Sequence, residues 1–510
     1  MSSFKTEVFF NNFIMGINLK YLSVEHLLLI GSVLLFISII ASKTSFKFGI
    51  PALILFLVVG MLAGSEGPGR IYFDDPETAQ LLGVVALTFI LFSGGLETKF
   101  ESIRPVLKNG LALSTIGVLI TTVVVGVFAS YVLHFTLIEG MLLGAIVSST
   151  DAAAVFSILR TRNIGLKGNI RPLLEFESGS NDTMAYFLTI SIVGLMVHPE
   201  MSIVDLIPQF FKAMILGAAC GYAAGKLLVF VVNKISLDVD GLYPVLVMAL
   251  MFFTFSFTDT IGGNGFLAVY SAAIIFGNSN IIHKKSLIRF FDGMAWLMQI
   301  IMFLTLGLLV YPSKIVPIIG EGILISAFLI LIARPLAVFI MLSRAADLNF
   351  RKKIFVSWVG LRGAAPIVFA TYPLIAKLSS AEIIFNLVFF ISVSSVVLQG
   401  STLSLMAKWL RVRVPEKLKR KFPLDLELTD NSKSEMLELD IPENSKSVGK
   451  KIVQLNLPKT SLIVLIHRDG KYLTPSGETQ IESDDHLLMI SDSIESSSKI
   501  YEIFGLQPQE

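Results

Sequence analysis

The sequence has few of the residues that form disulfides, metal clusters or charged surfaces. Cys220 is the single cysteine, so no intrachain disulfide and no cysteine-based metal site can form. The six histidines show no metal-ligand spacing. Only 16% of the residues are charged, whereas 54% are hydrophobic and the mean hydropathy is +0.74. A soluble protein of 510 residues could not bury so much apolar surface, which predicts a polytopic membrane protein.

The apolar runs predict an all-α membrane part with about 13 transmembrane helices. Their approximate cores are 23–42, 48–64, 79–96, 109–134, 137–160, 173–197, 203–233, 241–257, 264–277, 294–311, 317–342, 353–376 and 381–408. If runs 1–6 and 8–13 form two repeats, the fifth and twelfth correspond. They are seven places apart in the order of spans, which is an odd number, so the repeats are predicted to be inverted.

The connecting loops alternate between basic loops and loops that are nearly free of Lys and Arg. The basic loops contain Lys43, Lys47, Lys99, Arg104, Lys108, Arg160, Arg162, Lys167, Arg171, Lys284, Lys285, Arg289, Arg344, Arg351, Lys352 and Lys353. The positive-inside rule makes these loops cytoplasmic. The N-terminus is therefore predicted outside and the C-terminus in the cytoplasm.

The composition changes after the last apolar run. We assign residues 1–411 to the transmembrane domain and 412–433 to a linker that passes from basic to acidic. Residues 434–510 alternate short strand-like and helical runs, which predicts a small α/β domain.

Two carboxylates lie within apolar runs, where a charge is costly. Asp151 follows Ser149 and Thr150 in the fifth run, and Asp182 follows Asn181 in the sixth. Helical rise places both in the inner half to the middle of a membrane core about 30 Å thick. Carboxylates at this depth usually mark an ion or proton pathway. Together with the neighbouring hydroxyl and amide oxygens, they predict a site for a small cation.

The surroundings of the two aspartates favour a broken helix facing a polar helix. Three alanines follow Ser149-Thr150-Asp151, and such small residues allow a break whose free carbonyls and helix ends can coordinate ions. On the next helix, Glu177, Ser178, Asn181 and Asp182 share one face.

Arg362 is a cation in the twelfth run, and arginine cannot lose its charge. At that depth it needs a carboxylate, and the predicted partner is Glu177, with Glu175 as the second choice. Arg334 lies nearer a span end and is predicted to snorkel to the interface. Glycines on both sides of Arg362, followed by Pro366, predict a second broken helix.

These motifs resemble those of the cation:proton antiporters of the NhaP type, in particular the cell-volume-regulating potassium/proton branch. Thr150-Asp151 and Asn181-Asp182 look like the two ion-site motifs of that family. Glu177-Ser178 before the second motif and Arg362 in Gly-Leu-Arg-Gly also fit. The resemblance covers the membrane part from end to end. Many sodium/proton members have Pro after Thr-Asp, where this chain has Ala152.

The resemblance implies a role for each residue. Asp182 would carry the ion and the proton, and Asp151, Thr150 and Ser178 would help to ligate the cation. Asn181 would orient the site, and Glu177 with Arg362 would form a structural ion pair. The family fold implies a homodimer whose six-helix core bundles move against a dimerisation domain. The expected location is the inner (plasma) membrane of a bacterium, surrounded by lipid.

The tail is similar to the C-terminal lobe of RCK domains, also called TrkA-C. Such lobes usually dimerise, and some bind a small regulatory ligand such as a cyclic dinucleotide. That resemblance would place Arg468 and Ile466 near the ligand pocket. A purely structural dimerisation domain is an equal alternative.

The predicted function is a secondary antiporter that exchanges K+, or Na+, for H+ in cation, pH and volume homeostasis. The alternative is a cation channel gated by the RCK lobe, although no Thr-Val-Gly-Tyr-Gly-like filter string is present. An intramembrane enzyme is not favoured, because the sequence shows no catalytic triad. No cofactor and no nucleic acid partner are expected.

Overall fold

The computed structural model describes residues 17–18, 23–48, 51–162, 164–345, 347–415, 435–442, 445–458, 460–468, 471–491 and 494–506. The chain divides into two compact units, Met1–Glu416 and Lys417–Glu510. Most of the predicted linker, from residue 416 onward, lies outside the described residues.

The first unit consists almost entirely of helices. In chain order these are α1 Val24–Phe48, α2 Ala52–Ala63, α3 Pro76–Glu97, α4 Leu107–Leu133, α5 Leu137–Ile146, α6 Ala152–Thr161, α7 Ile170–Val197, α8 Leu206–Lys234, α9 Leu242–Thr260, α10 Gly265–Gly277, α11 Lys284–Leu309, α12 Pro312–Met341, α13 Phe350–Trp358, α14 Ala365–Ile375 and α15 Ala381–Trp409. Within the described ranges, nine helices are long and apolar enough to cross a membrane. The prediction of an all-α polytopic membrane part is therefore confirmed. The number of about 13 crossings stays a prediction.

Two short strand pairs accompany these helices. β1 Ile17–Asn18 pairs in parallel with β2 Ile71–Tyr72. β3 Ile164–Leu166 pairs antiparallel with β4 Arg413–Pro415, so the segment after α15 returns to the segment after α6.

Both predicted helix interruptions are present. The fifth apolar run is split into α5 and α6, and the residues 147–151 between them are not helical. The twelfth is split into α13 and α14 by residues 359–364. In each case small residues surround the break, which lets another backbone approach closely.

The fourth and eleventh apolar runs share an irregular design that supports the predicted repeat. Each starts with a short helix and a 3₁₀ turn containing proline, Arg104–Val106 in one and Val316–Ile318 in the other. Each then contains one π-helical turn, Leu113–Gly117 in α4 and Leu329–Ala333 in α12. The two runs are seven places apart in the predicted order of spans, so they are predicted to traverse the membrane in opposite directions.

The membrane unit has two hydrophobic cores joined by shared helices. The larger core contains the broken helices and α7, and the smaller contains residues of α8, α9 and α10. Helix α3 contributes Leu91 to the first and Phe92 to the second, and α11 contributes Leu306 and Phe291 in the same way. The two broken helices therefore belong to a different packing unit from most of α8–α10.

The second unit is a small antiparallel sheet with one helix, as the predicted α/β domain requires. Its strands are β5 Glu435–Asp440, β6 Ser461–Arg468, β7 Lys471–Leu473 and β8 His486–Ser491, in the order β5-β8-β6-β7. Helix α16 Ile494–Phe504 follows the last strand. The core contains Ile466, Leu487 and Phe504.

Candidate ion-binding site

The two helix breaks meet at Asp151. The main-chain N–H of Asp151 donates to the carbonyl oxygen of Leu361 at 2.8 Å. The Asp151 side chain caps α6 by accepting from Ala154 N at 3.0 Å. A Cβ atom on Gly363 would lie 2.1 Å from Asp151 Oδ2, so glycine is required where the breaks cross.

Helix α7 holds the first break through two polar side chains. Asn181 Nδ2 donates to Thr150 Oγ1 at 2.6 Å, and Asn181 Oδ1 accepts from Thr150 N at 3.3 Å. Ser178 Oγ donates to Thr150 O at 2.7 Å and accepts from Ala152 N at 2.9 Å. These bonds replace the helical ones that the break removes. Ser178 and Asn181 therefore fix the backbone around Asp151.

Ser149 contacts Asp182, a relationship that the sequence did not predict. The Ser149 hydroxyl donates a short hydrogen bond to Asp182 Oδ1. Both side chains are buried. The sequence predicts hydroxyl groups near the aspartates but not this contact, and the position of Ser149 directly before Thr150-Asp151 is the signal that could have identified it. The structure thus brings Asp151, Thr150 and Ser149 to the face of α7 that carries Asp182.

The predicted ion pair between Glu177 and Arg362 is wrong. Glu177 is instead paired with Arg334, whose Nη2 lies 2.9 Å from Glu177 Oε2 and whose Nη1 lies 2.5 Å from Oε1. Arg334 is 4% exposed, so the prediction that it snorkels is also wrong. Two parallel hydrogen bonds to one carboxylate suit the planar guanidinium. Glu175, the second predicted partner, is bonded to Arg171 at 2.9 Å.

The guanidinium group of Arg362 donates hydrogen bonds to main-chain carbonyls of the first break. Its Nη1 donates to Ser148 O at 2.7 Å and to Ser149 O at 2.6 Å. The break leaves these carbonyls without the helical donors they would otherwise have, and buried carbonyls need partners. The sequence predicts the helix break and a buried arginine. It does not predict that the arginine is bonded to the carbonyls of the break.

Helix α15 supports the second break from behind. Ser395 Oγ accepts from Arg362 N at 3.0 Å and donates to Gln399 Oε1 at 2.5 Å. Gln399 Nε2 donates to Trp358 O at 2.7 Å. This chain of bonds satisfies groups on both sides of the interruption between α13 and α14.

A cavity of about 240 Å³ reaches the two aspartates from the side of the basic loops. Its polar and charged lining residues are Glu97, Thr98, Thr150, Asp151, Arg160, Arg171, Glu175, Ser178, Asp182, Tyr270 and Gln299. A cation could therefore approach Asp182 through a partly apolar passage in which carboxylate, hydroxyl and amide oxygens outnumber the two arginines.

The opposite side of Asp182 is closed by aromatic side chains. Tyr186 lies one helical turn beyond Asp182 on α7, and its ring packs edge-on against Phe266 with 4.8 Å between centroids. Phe369 and Tyr372 lie 6.0 Å and 5.8 Å from the same ring. The Tyr186 hydroxyl also donates to Asp259 Oδ1 at 3.3 Å. Phe266 belongs to α10, so this aromatic gate joins α7 and α14 to a neighbouring helix.

In the tail domain, Ile466 and Arg468 are predicted to lie near a ligand pocket, and both make contacts within the domain. Ile466 is completely buried in the core of the sheet. Arg468 donates to Asp485 at 2.7 Å and 2.8 Å, to Gln480 O at 2.7 Å and to Glu482. The hydrogen bond and charge of Asp485 raise the pKa of Arg468. Ile466 thus packs in the core and Arg468 belongs to an ion-pair network, and a place for either beside a regulatory ligand stays a prediction.

In the described part of the chain, no group of three or more His, Cys, Asp or Glu side chains could hold a resident metal ion. The two membrane aspartates form a pair with hydroxyl and main-chain oxygens around them. Such a site suits a transported monovalent cation, which binds oxygen ligands weakly enough to leave again.

Comparisons with known proteins agree with both units. Residues 9–409 match the family described as "Sodium/hydrogen exchanger, transmembrane", and residues 436–505 match the TrkA-C domain. The chain is 38% identical over 483 residues to the K(+)/H(+) antiporter NhaP2 of Shewanella sp. (strain ANA-3), covering 94% of this chain and 84% of that protein. It is 39% identical over 467 residues to the K(+)/H(+) antiporter NhaP of Alkalimonas amylolytica, covering 91% and 80%.

A solved structure shares the fold. The sodium proton antiporter MjNhaP1 from Methanocaldococcus jannaschii matches with a TM-score of 0.65 at 24% identity, covering 76% of this chain and 99% of that chain. The family match extends over most of the chain and includes both broken helices. The predicted resemblance to NhaP-type antiporters with a TrkA-C tail is thus confirmed, and the chain belongs to the sodium/hydrogen exchanger family of cation/proton antiporters, which are secondary transporters and not enzymes.

Proposed function

We propose that this chain exchanges K+ for H+ across the membrane, with Asp182 as the group that binds the two in turn. The observation that supports this most directly is the position of Asp182 at the inner end of the cavity, beside the crossing of two broken helices. Asp151 and Thr150 supply further oxygens. Ser178 and Asn181 act chiefly by holding the break, and Ser149 by positioning the Asp182 carboxylate.

Alternating access follows from the two sides of the site. If the basic loops are cytoplasmic, the cavity opens inward and the aromatic gate closes the outward path. Outward opening then requires Tyr186 on α7 to separate from Phe266 on α10. Phe266 itself packs in the larger core with Tyr186, but α10 also contributes residues to the smaller core and α7 does not. A rocking motion of the broken-helix bundle against the smaller core would therefore have to part the Tyr186–Phe266 contact. In this orientation the N-terminus is outside and the C-terminus is cytoplasmic, in a bacterial inner membrane.

The exchange is proposed to be electroneutral, one cation for one proton. Asn181 has no titratable proton and is bonded to Thr150, and Glu177 is committed to Arg334. Asp151 caps α6, where the helix N-terminus favours its ionised form. That leaves Asp182 to alternate between proton and cation, so each half-cycle moves the same charge.

Two considerations favour K+ over Na+. The relatives with 38% and 39% identity are named K(+)/H(+) antiporters. This chain also has Ala152 after Asp151, in place of the proline that many sodium/proton members carry. A channel gated by the tail is the weaker candidate, since the cavity ends at a closed aromatic gate and at carboxylates that can bind protons.

The domain limits and the assembly are part of the same proposal. Residues 1–411 form the exchanger, 412–433 the linker and 434–510 a TrkA-C domain that regulates or dimerises it. The protein is proposed to act as a homodimer in lipid.

The test is proton movement in proteoliposomes containing the purified full chain. K+, Na+, Rb+ and Li+ are added in turn, and internal pH is recorded. We expect saturable proton exchange with K+ and none with the Asp182→Asn variant, which cannot cycle a proton. An imposed potential of about 100 mV, worth roughly 2.3 kcal/mol per net charge, should not change the end-point. Exchange by well-folded Asp182→Asn would refute the site, and a potential-dependent end-point would refute electroneutrality.

A further inference from the structure

The cavity that leads to Asp182 contains a second carboxylate, Glu175, nearer its opening. Glu175 and Asp182 are seven residues apart on α7, on the same face and roughly 10 Å apart along the axis. Both line the cavity. Between them lies Gly179, where a Cβ atom would be 2.4 Å from Tyr270 Cζ and 2.7 Å from the Tyr270 hydroxyl oxygen. The ring of Tyr270 therefore occupies the space over Gly179, midway between the two carboxylates.

The Tyr270 hydroxyl is the unusual group at this level. Tyr270 is 3% exposed and lines the cavity, yet its hydroxyl makes no hydrogen bond of normal geometry with a described residue. The neighbouring Thr98 hydroxyl donates to Gly94 O at 2.7 Å instead. A buried polar group without a partner lowers stability, and phenylalanine would fill the same space without that cost. The packing of α10 against α7 thus does not explain why this residue carries a hydroxyl group. A ligand that enters the cavity and contacts the hydroxyl would explain it.

We propose that Tyr270 and Glu175 form a vestibule site, which binds a partly dehydrated monovalent cation one step before Asp182. This inference rests on the proposed antiport function. A carboxylate and a neutral hydroxyl are hard oxygen ligands, which attract a cation and repel an anion. Arg171 shares the Glu175 carboxylate at 2.9 Å, so the site has little net charge and suits a monovalent ion. Weak binding is required there, because a tightly held cation would not pass on to Asp182.

The vestibule site also explains why Tyr270 lies against a glycine on each of two helices, α3 and α7. Its main-chain oxygen would be 2.9 Å from a Cβ atom on Gly95 of α3, and its ring covers Gly179 of α7. Both glycines let α10 approach closely enough for the ring to reach the cavity. The hydroxyl is therefore held in one position by backbone contacts, as a binding group should be.

The test is Tyr270→Phe in proteoliposomes with K+ as the varied ion. The variant keeps the ring and its packing and removes only the oxygen. We expect the apparent KM for K+ to rise about 3- to 10-fold, the range of one modest ligand contact, with kcat at saturating K+ near the wild-type value. The thermal midpoint in detergent should be unchanged or higher. Tyr131→Phe, on a ring that is 82% exposed, is the matched control and should change none of these.

Glu175→Gln supplies the second arm. If both groups contact the same cation, Glu175→Gln also raises KM, and the double variant raises it by less than the product of the two single effects. An unchanged KM in Tyr270→Phe would overturn the vestibule site while leaving antiport intact. Equal losses of kcat and thermal stability would assign Tyr270 a structural role and overturn it as well. Absence of cation-driven proton movement in the wild-type chain would overturn the proposed function and the vestibule site together.

Discussion

Asp151 and Leu361 are joined by a main-chain hydrogen bond of 2.8 Å, although they are distant in the sequence. The bond connects the non-helical segments of two broken helices, so neither break can move without the other. The polar groups that each break frees are satisfied by the other break, by Arg362 and by α7 and α15. The ion site is thus held by backbone contacts, and we expect it to be sensitive to very small substitutions.

The Ser149 hydroxyl should matter for cation binding. In Ser149→Ala, Asp182 loses its hydrogen-bond donor, and we expect the apparent KM for K+ to change by about 3- to 10-fold, as for loss of one charge-assisted bond. Ser148→Ala is the matched control, because the Ser148 hydroxyl donates to Ala145 O at the end of α5 and not to Asp182. The measurement is K+-dependent proton exchange in proteoliposomes. Identical kinetics in the two variants would remove Ser149 from the site.

Gly363 should tolerate no side chain. The Cβ of Gly363→Ala would overlap the Asp151 carboxylate, and we expect loss of nearly all exchange, at least about 100-fold, as for displacement of a catalytic group by an ångström. Gly293→Ala, in α11 with open space around it, is the control and should retain activity. Expression and thermal midpoint are measured in parallel. A fully active Gly363→Ala would show that Asp151 need not lie at the crossing of the breaks.

The Arg334–Glu177 ion pair should stabilise the fold, with each charge depending on the other. Arg334→Met leaves a buried carboxylate unpaired, which costs about 3–5 kcal/mol and lowers the thermal midpoint in detergent. We expect the double variant Arg334→Met with Glu177→Gln to recover part of that loss. The comparison pair, Arg362→Met with Glu177→Gln, should show no such recovery because Arg362 bonds to carbonyls. The reverse pattern of recovery would restore the pairing that the sequence suggested.

The aromatic gate should have to open during each cycle. With Cys220→Ser as the background, Tyr186→Cys and Phe266→Cys together can be oxidised to a cross-link between α7 and α10. We expect the oxidised protein to lose exchange and regain it on reduction. Tyr186→Cys with Phe369→Cys joins α7 to α14, neither of which contributes to the smaller hydrophobic core, and should leave exchange intact when oxidised. If cross-linked α7 and α10 still permit exchange, the gate does not part there.

The local features of the site could be predicted because they depend on neighbouring residues. A carboxylate in an apolar run, small residues beside Asp151 and glycines beside Arg362 each indicate an interruption or an ion within a few positions. The partner of Arg362 could not be predicted in this way. Its partners are carbonyls, which every residue has, so the sequence carries no sign of them.

The depth of Arg334, unlike its partner, could be predicted. Eight apolar residues, 335–342, follow it, which indicates a position within the membrane instead of at the interface. Its contact with Glu177 joins residues 157 positions apart, so only the tertiary fold brings them together. The contact between Ser149 and Asp182 could not be predicted, because a serine in a small-residue run is compatible with packing alone.

The π turn in α12 determines the direction in which the side chains after it point. The turn Leu329–Ala333 ends directly before Arg334 and contains one residue more than an α-helical turn. Each residue of an α-helix advances the side-chain direction by about 100°, so the extra residue rotates everything after it by that angle. A chain with the same arginine and glutamate but one residue fewer in this turn would present the guanidinium on another face. The ion pair that holds the core therefore depends on an insertion of one residue as much as on the two charges.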